Sequence, residues 1–189
     1  VYRVDEFVRR NYPLRDVFLR EALPAESLKK LSEFSKRIGI GFFATPFDLE
    51  SARLLHRLGV PGFKIASGDL TCVPLLKAVA GYRKWVILST GAGVVPEIES
   101  AVRILRTYGC RRTVLLHCVS AYPARPADLN LRVLPRLAER FRLPVGLSDH
   151  TRGIDASLAA AALGARAIEK HFTIDRSLPG GDNSISILP

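Results

Sequence analysis

Short apolar segments alternate with helix-like segments along most of the chain. The apolar segments are apolar on both faces, which is typical of parallel strands covered by helices on both sides. They predict strands over residues 40–44, 62–66, 85–89, 113–118, 145–148 and 167–172. The chain therefore carries the pattern of a parallel sheet.

Apolar residues at helical spacing fill several of the stretches between these strands. The pattern predicts helices over residues 24–38, 47–58, 96–108 and 154–163. Each ends at a glycine, which favours the left-handed conformation that commonly terminates a helix. A further helix-like and loop stretch opens the chain. Alternation of strands and helices indicates an α/β fold.

Polar residues follow nearly every predicted strand, and this favours a barrel over an open sheet. A (β/α)8 TIM barrel gathers the carboxyl ends of all its strands at one mouth, whereas a doubly wound sheet offers one crevice where strand order reverses. The loops begin at Thr45, Ser67, Ser89, Ser120 and Ser148. We therefore predict one domain over residues 1–189, a partial barrel with six of the eight strands. The other two strands are expected to precede Val1.

Composition narrows the class of protein. Of 189 residues, 48% are hydrophobic and 24% charged, which is ordinary for a globular domain. No apolar run is long enough to span a membrane, and no secretory signal is present. The three cysteines are too scattered for a disulfide framework, so a reducing, cytoplasmic setting is expected.

The net charge of +10 comes mainly from arginines spread along the chain. Because nucleic-acid binding requires basic residues clustered on one element, we expect no nucleic-acid partner. An anionic small-molecule substrate fits the charge better.

Two histidines at strand ends are candidate metal ligands. His150 follows one predicted strand, and His171 lies inside the next. Period-two alternation places Ser148 with His150 on one face, and Glu169 with His171 on one face. Two imidazoles with waters or a carboxylate suit Mn²⁺, Fe²⁺ or Zn²⁺. Hydrogen-bonded structural histidines are the alternative.

Lys64 begins the segment Lys-Ile-Ala-Ser-Gly-Asp at 64–69. In a barrel strand it is a candidate Schiff-base nucleophile, as in covalent aldolases, or a fixed cation for a phosphate or carboxylate. The hydroxyl-rich strand ends Ser89-Thr90 and Ser148-Asp149 add the donors of an anion site. A glycine-rich loop after the last strand places Asp182 near the mouth.

A series of short motifs runs in one order over most of the chain. They are Ala-Thr-Pro-Phe-Asp at 44–48, the segment at 64–69, Pro-Leu-Leu at 74–76, Ile-Leu-Ser-Thr-Gly at 87–91, Leu-His-Cys at 116–118, Tyr-Pro at 122–123, Asp-Leu-Asn-Leu-Arg at 128–132, Gly-Leu-Ser-Asp-His-Thr at 146–151, Glu-Lys-His-Phe-Thr at 169–173 and Gly-Asp-Asn at 181–183. Together they resemble the sialic acid synthase family, which comprises N-acetylneuraminate synthase and its legionaminate, pseudaminate and spore-coat polysaccharide synthase relatives.

The resemblance implies a transferase on a TIM barrel that condenses phosphoenolpyruvate with an acetamido sugar, N-acetylmannosamine first among them. The product is a nine-carbon 2-keto acid, with phosphate released. It also implies a divalent metal, Mn²⁺ or Mg²⁺, and a homodimer in the full-length form.

Each implied role falls on a matching position of this sequence. The metal ligands would be His150 and His171. The residues that hold phosphoenolpyruvate would be Thr45, Lys64, Ser67, Ser89 and Ser148. The residues at the reacting aldehyde and the sugar would be Asp69, Tyr122 and Asp182, with Asp69 and Lys64 as the catalytic pair.

Some positions depart from the family pattern. Asp69, Cys72, Ala92 and Gly181 stand where many members have Glu, Asn, Met and Pro. None of these changes removes a charge or a metal ligand, but they leave the sugar open. The family's first strands and its C-terminal antifreeze-like domain have no counterpart in the chain, so residues 1–189 alone are expected to be poorly stable and nearly inactive.

Overall fold

A sheet of five parallel strands forms the centre of the computed structural model, which describes residues 22–179 and 181–189. The strands are β1 (Gly62–Ile65), β2 (Trp85–Ser89), β3 (Thr113–Cys118), β4 (Val145–Asp149) and β5 (Ile168–Lys170). They pair in chain order, each parallel to the next, and together form a half-barrel. All carboxyl ends therefore lie on the same edge of the sheet.

Six α-helices precede or connect these strands in the described part of the chain. They are α1 (Ala25–Ile38), α2 (Leu49–Arg57), α3 (Val73–Gly81), α4 (Val95–Thr107), α5 (Val133–Phe141) and α6 (Asp155–Ala162). Short 3-10 turns follow at Ser67–Asp69, Pro126–Asp128 and Asn183–Ile185. The predicted α/β alternation is confirmed, with helix ends shifted by one or two residues.

The core lies between the sheet and its helices. Phe63, Ile65, Leu88, Leu115 and Leu147 are fully buried strand residues. The helices contribute Leu55, Leu75, Leu76, Leu105 and Leu134, which are also buried. Burial of this apolar surface stabilises the layered arrangement.

The predicted strand at 40–44 is wrong. Only Ala44 pairs with the sheet, through an isolated parallel bridge to Phe63. Ile40 and Phe43 are 62% and 38% exposed, so the apolar side chains of this segment are not covered in the way a central parallel strand requires. The sheet therefore has five described strands instead of the six predicted.

The last strand is shorter than predicted. β5 covers Ile168–Lys170, so His171 follows the strand instead of lying inside it. Phe172 makes a separate parallel bridge with Ile187. The apolar pattern extends beyond the strand because Phe172 belongs to this second contact.

Two helices, α3 and α5, are missing from the prediction. α3 is almost wholly apolar, so it shows little helical periodicity, and it buries Leu75, Leu76 and Val79. α5 is short and carries Pro135 in its first turn, a position where a proline is tolerated.

Three further expectations from the sequence concern the cysteines, membrane-spanning helices and the start of the chain. Cys72, Cys110 and Cys118 are all free thiols. Within residues 22–179 and 181–189, no helix has the length and apolar character needed to cross a bilayer. The helix-like stretch predicted at the start of the chain lies outside the described residues.

Gly146 sits where β4 and β5 approach closely. A Cβ at this position would lie against the carbonyl oxygen of Ala167 and 2.8 Å from Cδ2 of Leu116. The strand that carries Ser148 and His150 therefore needs a glycine here.

We expect Gly146→Ala to lower the free energy of unfolding by about 1–3 kcal/mol, because the added methyl group overpacks the strand contact. Chemical denaturation measures this change. Gly81→Ala is the control, since a Cβ there meets nothing within 4 Å. Equal effects of the two substitutions would contradict the close approach at Gly146.

Candidate functional site

A cavity of about 380 Å³ opens at the carboxyl ends of β1 to β5. Its lining comes from all five strands and the loops after them. The polar lining residues are Lys64, Ser67, Thr71, Ser89, Glu97, Ser120, Tyr122, Ser148, His150 and Glu169. The cavity is thus the place where the polar strand ends predicted from the sequence meet.

One side of the cavity is built to hold an anion. Lys64 supplies the cation, and its side chain is only 13% exposed. Ser67 in the turn after β1, Ser89 in β2 and Ser148 in β4 supply hydroxyl groups. The Ser89 hydroxyl is buried and is the only buried side-chain polar atom in the described residues without a hydrogen-bond partner. An unpartnered buried hydroxyl in a polar cavity indicates a ligand position.

Lys64 and Ser148 share a carboxylate. Glu169 Oε1 accepts a 2.6 Å hydrogen bond from Ser148 Oγ, and its Oε2 lies 3.6 Å from Lys64 Nζ. Lys64 Nζ also donates to the carbonyl of Ile65 at 3.3 Å. Glu169 therefore links opposite sides of the cavity. The sequence analysis placed Glu169 on the face of His171 but assigned it no role.

Gly91 gives the cavity part of its space. A Cβ there would lie 2.6 Å from Cys118 Sγ, 2.7 Å from Ser120 Oγ and 2.9 Å from Ser67 Oγ. The backbone N–H of Gly91 donates to Ser67 Oγ at 3.0 Å, and that oxygen lies 3.1 Å from Cys118 Sγ. Cys118 and Ser120 were not predicted as site residues. No local motif in the sequence distinguishes a cysteine that lines a cavity from one that is packed in the core.

The two candidate metal ligands meet at the mouth of the cavity. The imidazole centroids of His150 and His171 are 5.4 Å apart. Tyr122 stacks on His150 at 4.1 Å and presents an edge to His171 at 5.6 Å. The period-two argument that placed both histidines on one side of the sheet is confirmed, although His171 lies beyond β5.

Both imidazoles have an acceptor at Nδ1. His150 Nδ1 donates to the carbonyl of Val119 at 2.8 Å, and His171 Nδ1 lies 3.4 Å from Asp182 Oδ2. Burial, together with the neighbouring His171, lowers the pKa of His150, so its neutral form is favoured. A neutral imidazole protonated at Nδ1 keeps a lone pair at Nε2. In His150 this Nε2 lies 3.2 Å from Ser148 Oγ, so a metal bound there would replace that hydroxyl as its partner.

The donor set fits a divalent metal that completes its coordination from elsewhere. Within the described residues, no group of three or more His, Cys, Asp or Glu side chains has the arrangement needed to bind a metal ion. Two imidazole nitrogens leave the remaining positions to water or substrate, as catalytic metal sites do. His150 and His171 therefore fit as two protein ligands of such a metal.

Some predicted site residues do not line the cavity. Thr45 and Asp69 are absent from its wall, as are His171 and Asp182. His171 reaches the mouth through its ring contact with His150, and Asp182 lies against His171. Burial raises the pKa of the Asp69 carboxyl. Asp149, grouped with Ser148 as part of the anion site, lies on the opposite face of β4 and is fully buried there.

The other two histidines, His56 and His117, make local contacts outside the cavity. His117 Nε2 lies 2.6 Å from the carbonyl of Leu129, and His56 stacks on Tyr82 at 4.1 Å. Neither lines the cavity.

A parallel half-barrel with a polar cavity at the carboxyl ends of its strands is the arrangement of the TIM-barrel enzymes, whose active sites lie at that edge. Within that class, the chain belongs to the NeuB family, whose model matches residues 4–189. The resemblance found in the motifs is thus confirmed.

Similar proteins of known name support the same family. The N,N'-diacetyllegionaminic acid synthase of Campylobacter jejuni is 47% identical over 169 residues, covering 88% of this chain and 51% of that protein. The crystal structure of an N-acetylneuraminic acid synthetase of Leptospira borgpetersenii, in complex with citrate, is 39% identical with a TM-score of 0.89. It covers 96% of this chain and 65% of that one.

A more distant structure shares only the fold. A truncated 3-deoxy-D-arabino-heptulosonate 7-phosphate synthase of Thermotoga maritima is 18% identical, with a TM-score of 0.78 over 88% of this chain and 67% of that one. The chain spans about half the length of the curated relatives it matches.

We expect Ser89→Ala to weaken binding of phosphoenolpyruvate, the anion that the resemblance to this family implies, by about 10- to 100-fold, the effect of losing one hydrogen bond to a charged group. The melting temperature should stay the same or rise, because the substitution removes a buried hydroxyl that has no partner. Calorimetric titration and thermal melting measure the two effects.

Ser35→Ala is the matched control. Ser35 is also buried, but its hydroxyl donates to the carbonyl of Ser32 at 2.9 Å, remote from the cavity. It should leave phosphoenolpyruvate affinity unchanged. Loss of melting temperature in Ser89→Ala without loss of affinity would show that the Ser89 hydroxyl is structural.

Proposed function

We propose that this chain carries the catalytic site of a metal-dependent synthase that joins phosphoenolpyruvate to an acetamido sugar. The observation that carries the proposal is the convergence of Lys64 and three serine hydroxyls, with Ser89 unpartnered, beside two facing imidazoles. Membership of the NeuB family supports the same reaction class.

The reaction makes one carbon–carbon bond and releases one phosphate. C3 of phosphoenolpyruvate attacks the aldehyde carbon of the sugar, and the aldehyde oxygen becomes a hydroxyl after taking up a proton. Water then adds at C2, and the C2–phosphate unit collapses to the 2-keto acid with loss of inorganic phosphate. The atoms of phosphoenolpyruvate, sugar and water are thereby all accounted for.

Lys64 acts as a counter-charge for the phosphate and carboxylate of phosphoenolpyruvate. The hydroxyls of Ser67, Ser89 and Ser148 orient the same anion, and Thr45 acts nearby. Holding the enol carbon in a fixed place converts an encounter of two substrates into a reaction within one complex.

The sugar lies on the side of the imidazoles. Tyr122 and Asp182 hold it there, since both contact the histidines that face the mouth. Asp69 does not line the cavity, but it lies between the lining residues Gly68 and Leu70 and would act at the aldehyde from there. Its raised pKa suits a carboxyl that holds or passes a proton.

His150 and His171 hold the divalent metal, Mn²⁺ or Mg²⁺. When bound, such a metal polarises the aldehyde oxygen and stabilises the negative charge that develops on it. The lowered pKa of His150 and the acceptors at both Nδ1 atoms support this role.

The contacts of Lys64 support its role as a cation over that of a Schiff-base nucleophile. Its Nζ lies 3.6 Å from Glu169 Oε2, so a carboxylate already neutralises it in the absence of substrate. An imine-forming lysine must direct its amine at a substrate carbonyl, whereas Lys64 Nζ is engaged by Glu169 and by the carbonyl of Ile65.

Phosphate release tests the proposed reaction in the intact protein. We expect release from phosphoenolpyruvate that needs both Mn²⁺ and N-acetylmannosamine and stops when EDTA is added. Turnover only with a diacetamido sugar would keep the chemistry and change the substrate. Absence of turnover with every acetamido sugar, in a folded protein, would refute the synthase.

Substitution of the histidines tests the metal site. His150→Ala and His171→Ala should each reduce turnover by about 100-fold or more, because the developing charge loses its stabilisation. His56→Ala is the control, since His56 stacks on Tyr82 outside the cavity, and should retain activity. Labelling by borohydride with a 2-keto acid would instead indicate the aldolase mechanism.

A further inference from the structure

A buried ion pair lies on the far side of β4 and β5 from the cavity. Lys170 Nζ is 3.1 Å from Asp149 Oδ2, and their side chains are 8% and 0% exposed. The two residues stand directly opposite each other in the register of the two strands. Neither lines the cavity, so neither contacts substrate.

The pair ties together the backbone on both sides of His150. Asp149 precedes that histidine in the chain, and Thr151 follows it. Asp149 Oδ1 accepts from Thr151 N at 2.8 Å and from Thr151 Oγ1 at 2.7 Å. Lys170 Nζ also donates to the carbonyl of Thr151. Both neighbours of His150 are therefore attached to Lys170.

The same contacts reach His171 and helix α6. Lys170 immediately precedes His171, so the ammonium that holds the His150 segment belongs to the residue next to the second histidine. Asp149 Oδ2 accepts a further 2.6 Å hydrogen bond from Ser157 Oγ in α6. Each oxygen of the Asp149 carboxylate thus has two donors, which fills its capacity to accept hydrogen bonds.

The pairing of β4 with β5 is otherwise short. Only three residue pairs are in register, and Asp149 with Lys170 is the last of them before the histidines. Successive side chains along a strand point to opposite faces of the sheet. Because Asp149 and Lys170 each directly precede a histidine, pairing them on the outer face directs both imidazoles to the inner face. A slip by one residue would turn one histidine away from the other.

Stability alone is a poor explanation for the pair. Burying two charges costs desolvation energy that their attraction roughly offsets, and buried ion pairs are best attested as devices that fix register or specificity. Because burial raises the pKa of Asp149 but its donors Ser157, Thr151 and Lys170 together lower it, the carboxyl is held ionised in this arrangement.

We propose that Asp149 and Lys170 are positioning residues that set the spacing and facing of His150 and His171 for a divalent metal. The inference rests on the metal site of the proposed function. Its distinct content is that two residues without contact to metal or substrate control metal affinity.

The decisive variant is the double substitution Asp149→Asn with Lys170→Gln in the intact protein. It removes one charge of each sign, so the net charge near the histidines is unchanged and no buried charge is left unpaired. Mn²⁺ affinity is measured by calorimetric titration without substrate. We expect it to fall by about 10- to 100-fold, as for other residues that orient metal ligands.

Three further readouts separate positioning from general destabilisation. Phosphoenolpyruvate affinity without metal should change by less than about twofold, because the pair lies outside the anion pocket. The imidazole resonances of His150 and His171 should shift in nitrogen–proton NMR spectra of the metal-free protein. Thermal melting shows whether the variant remains folded.

The matched control is the surface ion pair of Arg140 with Glu99, at 2.7 Å. Arg140→Gln with Glu99→Gln removes the same charges far from the histidines and should leave Mn²⁺ affinity unchanged.

The single variant Lys170→Met provides a second test. Loss of a positive charge would by itself strengthen binding of a cation, so weaker Mn²⁺ binding in this variant indicates lost geometry.

Specific results would overturn the proposal. Mn²⁺ affinity within about twofold of the parent in a folded double variant would show that the pair does not position the histidines. Parallel losses of Mn²⁺ and phosphoenolpyruvate affinity would assign it a merely structural role. Absence of Mn²⁺ binding by the parent protein would instead refute the metal site, and with it the positioning role, while phosphoenolpyruvate binding would still test the anion pocket.

Discussion

The register between β4 and β5 is the constraint on which the site depends. It aligns Ser148 with Glu169 on the inner face and Asp149 with Lys170 on the outer face. The inner pair joins the anion pocket to Lys64, whereas the outer pair holds the backbone around His150. Because side chains alternate along a strand, a single pairing between two short strands determines both sets of contacts.

The parallel order of all five strands extends this constraint across the sheet. Each strand ends on the same edge, so one side chain from each can reach a common cavity. Small residues make room there. Gly91 leaves space between Ser67, Cys118 and Ser120, and Gly146 lets β4 approach the chain before β5. The anion pocket therefore depends on residues that contribute no chemistry of their own.

Charge is divided between two environments. Lys64 and Glu169 face the cavity, where an incoming anion can compete for the lysine. Lys170 and Asp149 are enclosed among hydrogen bonds that leave neither group available to a ligand. A lysine–carboxylate pair thus faces the cavity in one place and fixes the backbone in the other, and solvent access makes the difference.

Hydrophobic periodicity and motif order predicted most of the architecture. Buried strands have a local signature, since both faces are apolar, and helices end at glycines that their backbone angles require. The convergence of Lys64, Ser89 and Ser148 followed from their places at strand ends, and the family resemblance added Ser67. The strand predicted at 40–44 was wrong because an apolar sequence shows that a segment can be buried, not that it pairs with a sheet. Helix α3 was missed because a fully apolar helix has no polar face and so shows no helical periodicity.

The sequence by itself determined which residues can bind an anion or a metal. The type of a residue fixes its chemistry, and the alternation of side chains along a strand fixes which residues share a face. Only the tertiary structure decided which of them meet. It placed Glu169 between Lys64 and Ser148, left Ser89 without a partner, and put Thr45 and Asp69 outside the cavity wall. It also separated Asp149 from Ser148 and joined it to Lys170. These outcomes depend on distances between strands that are far apart in the chain, which no local pattern encodes.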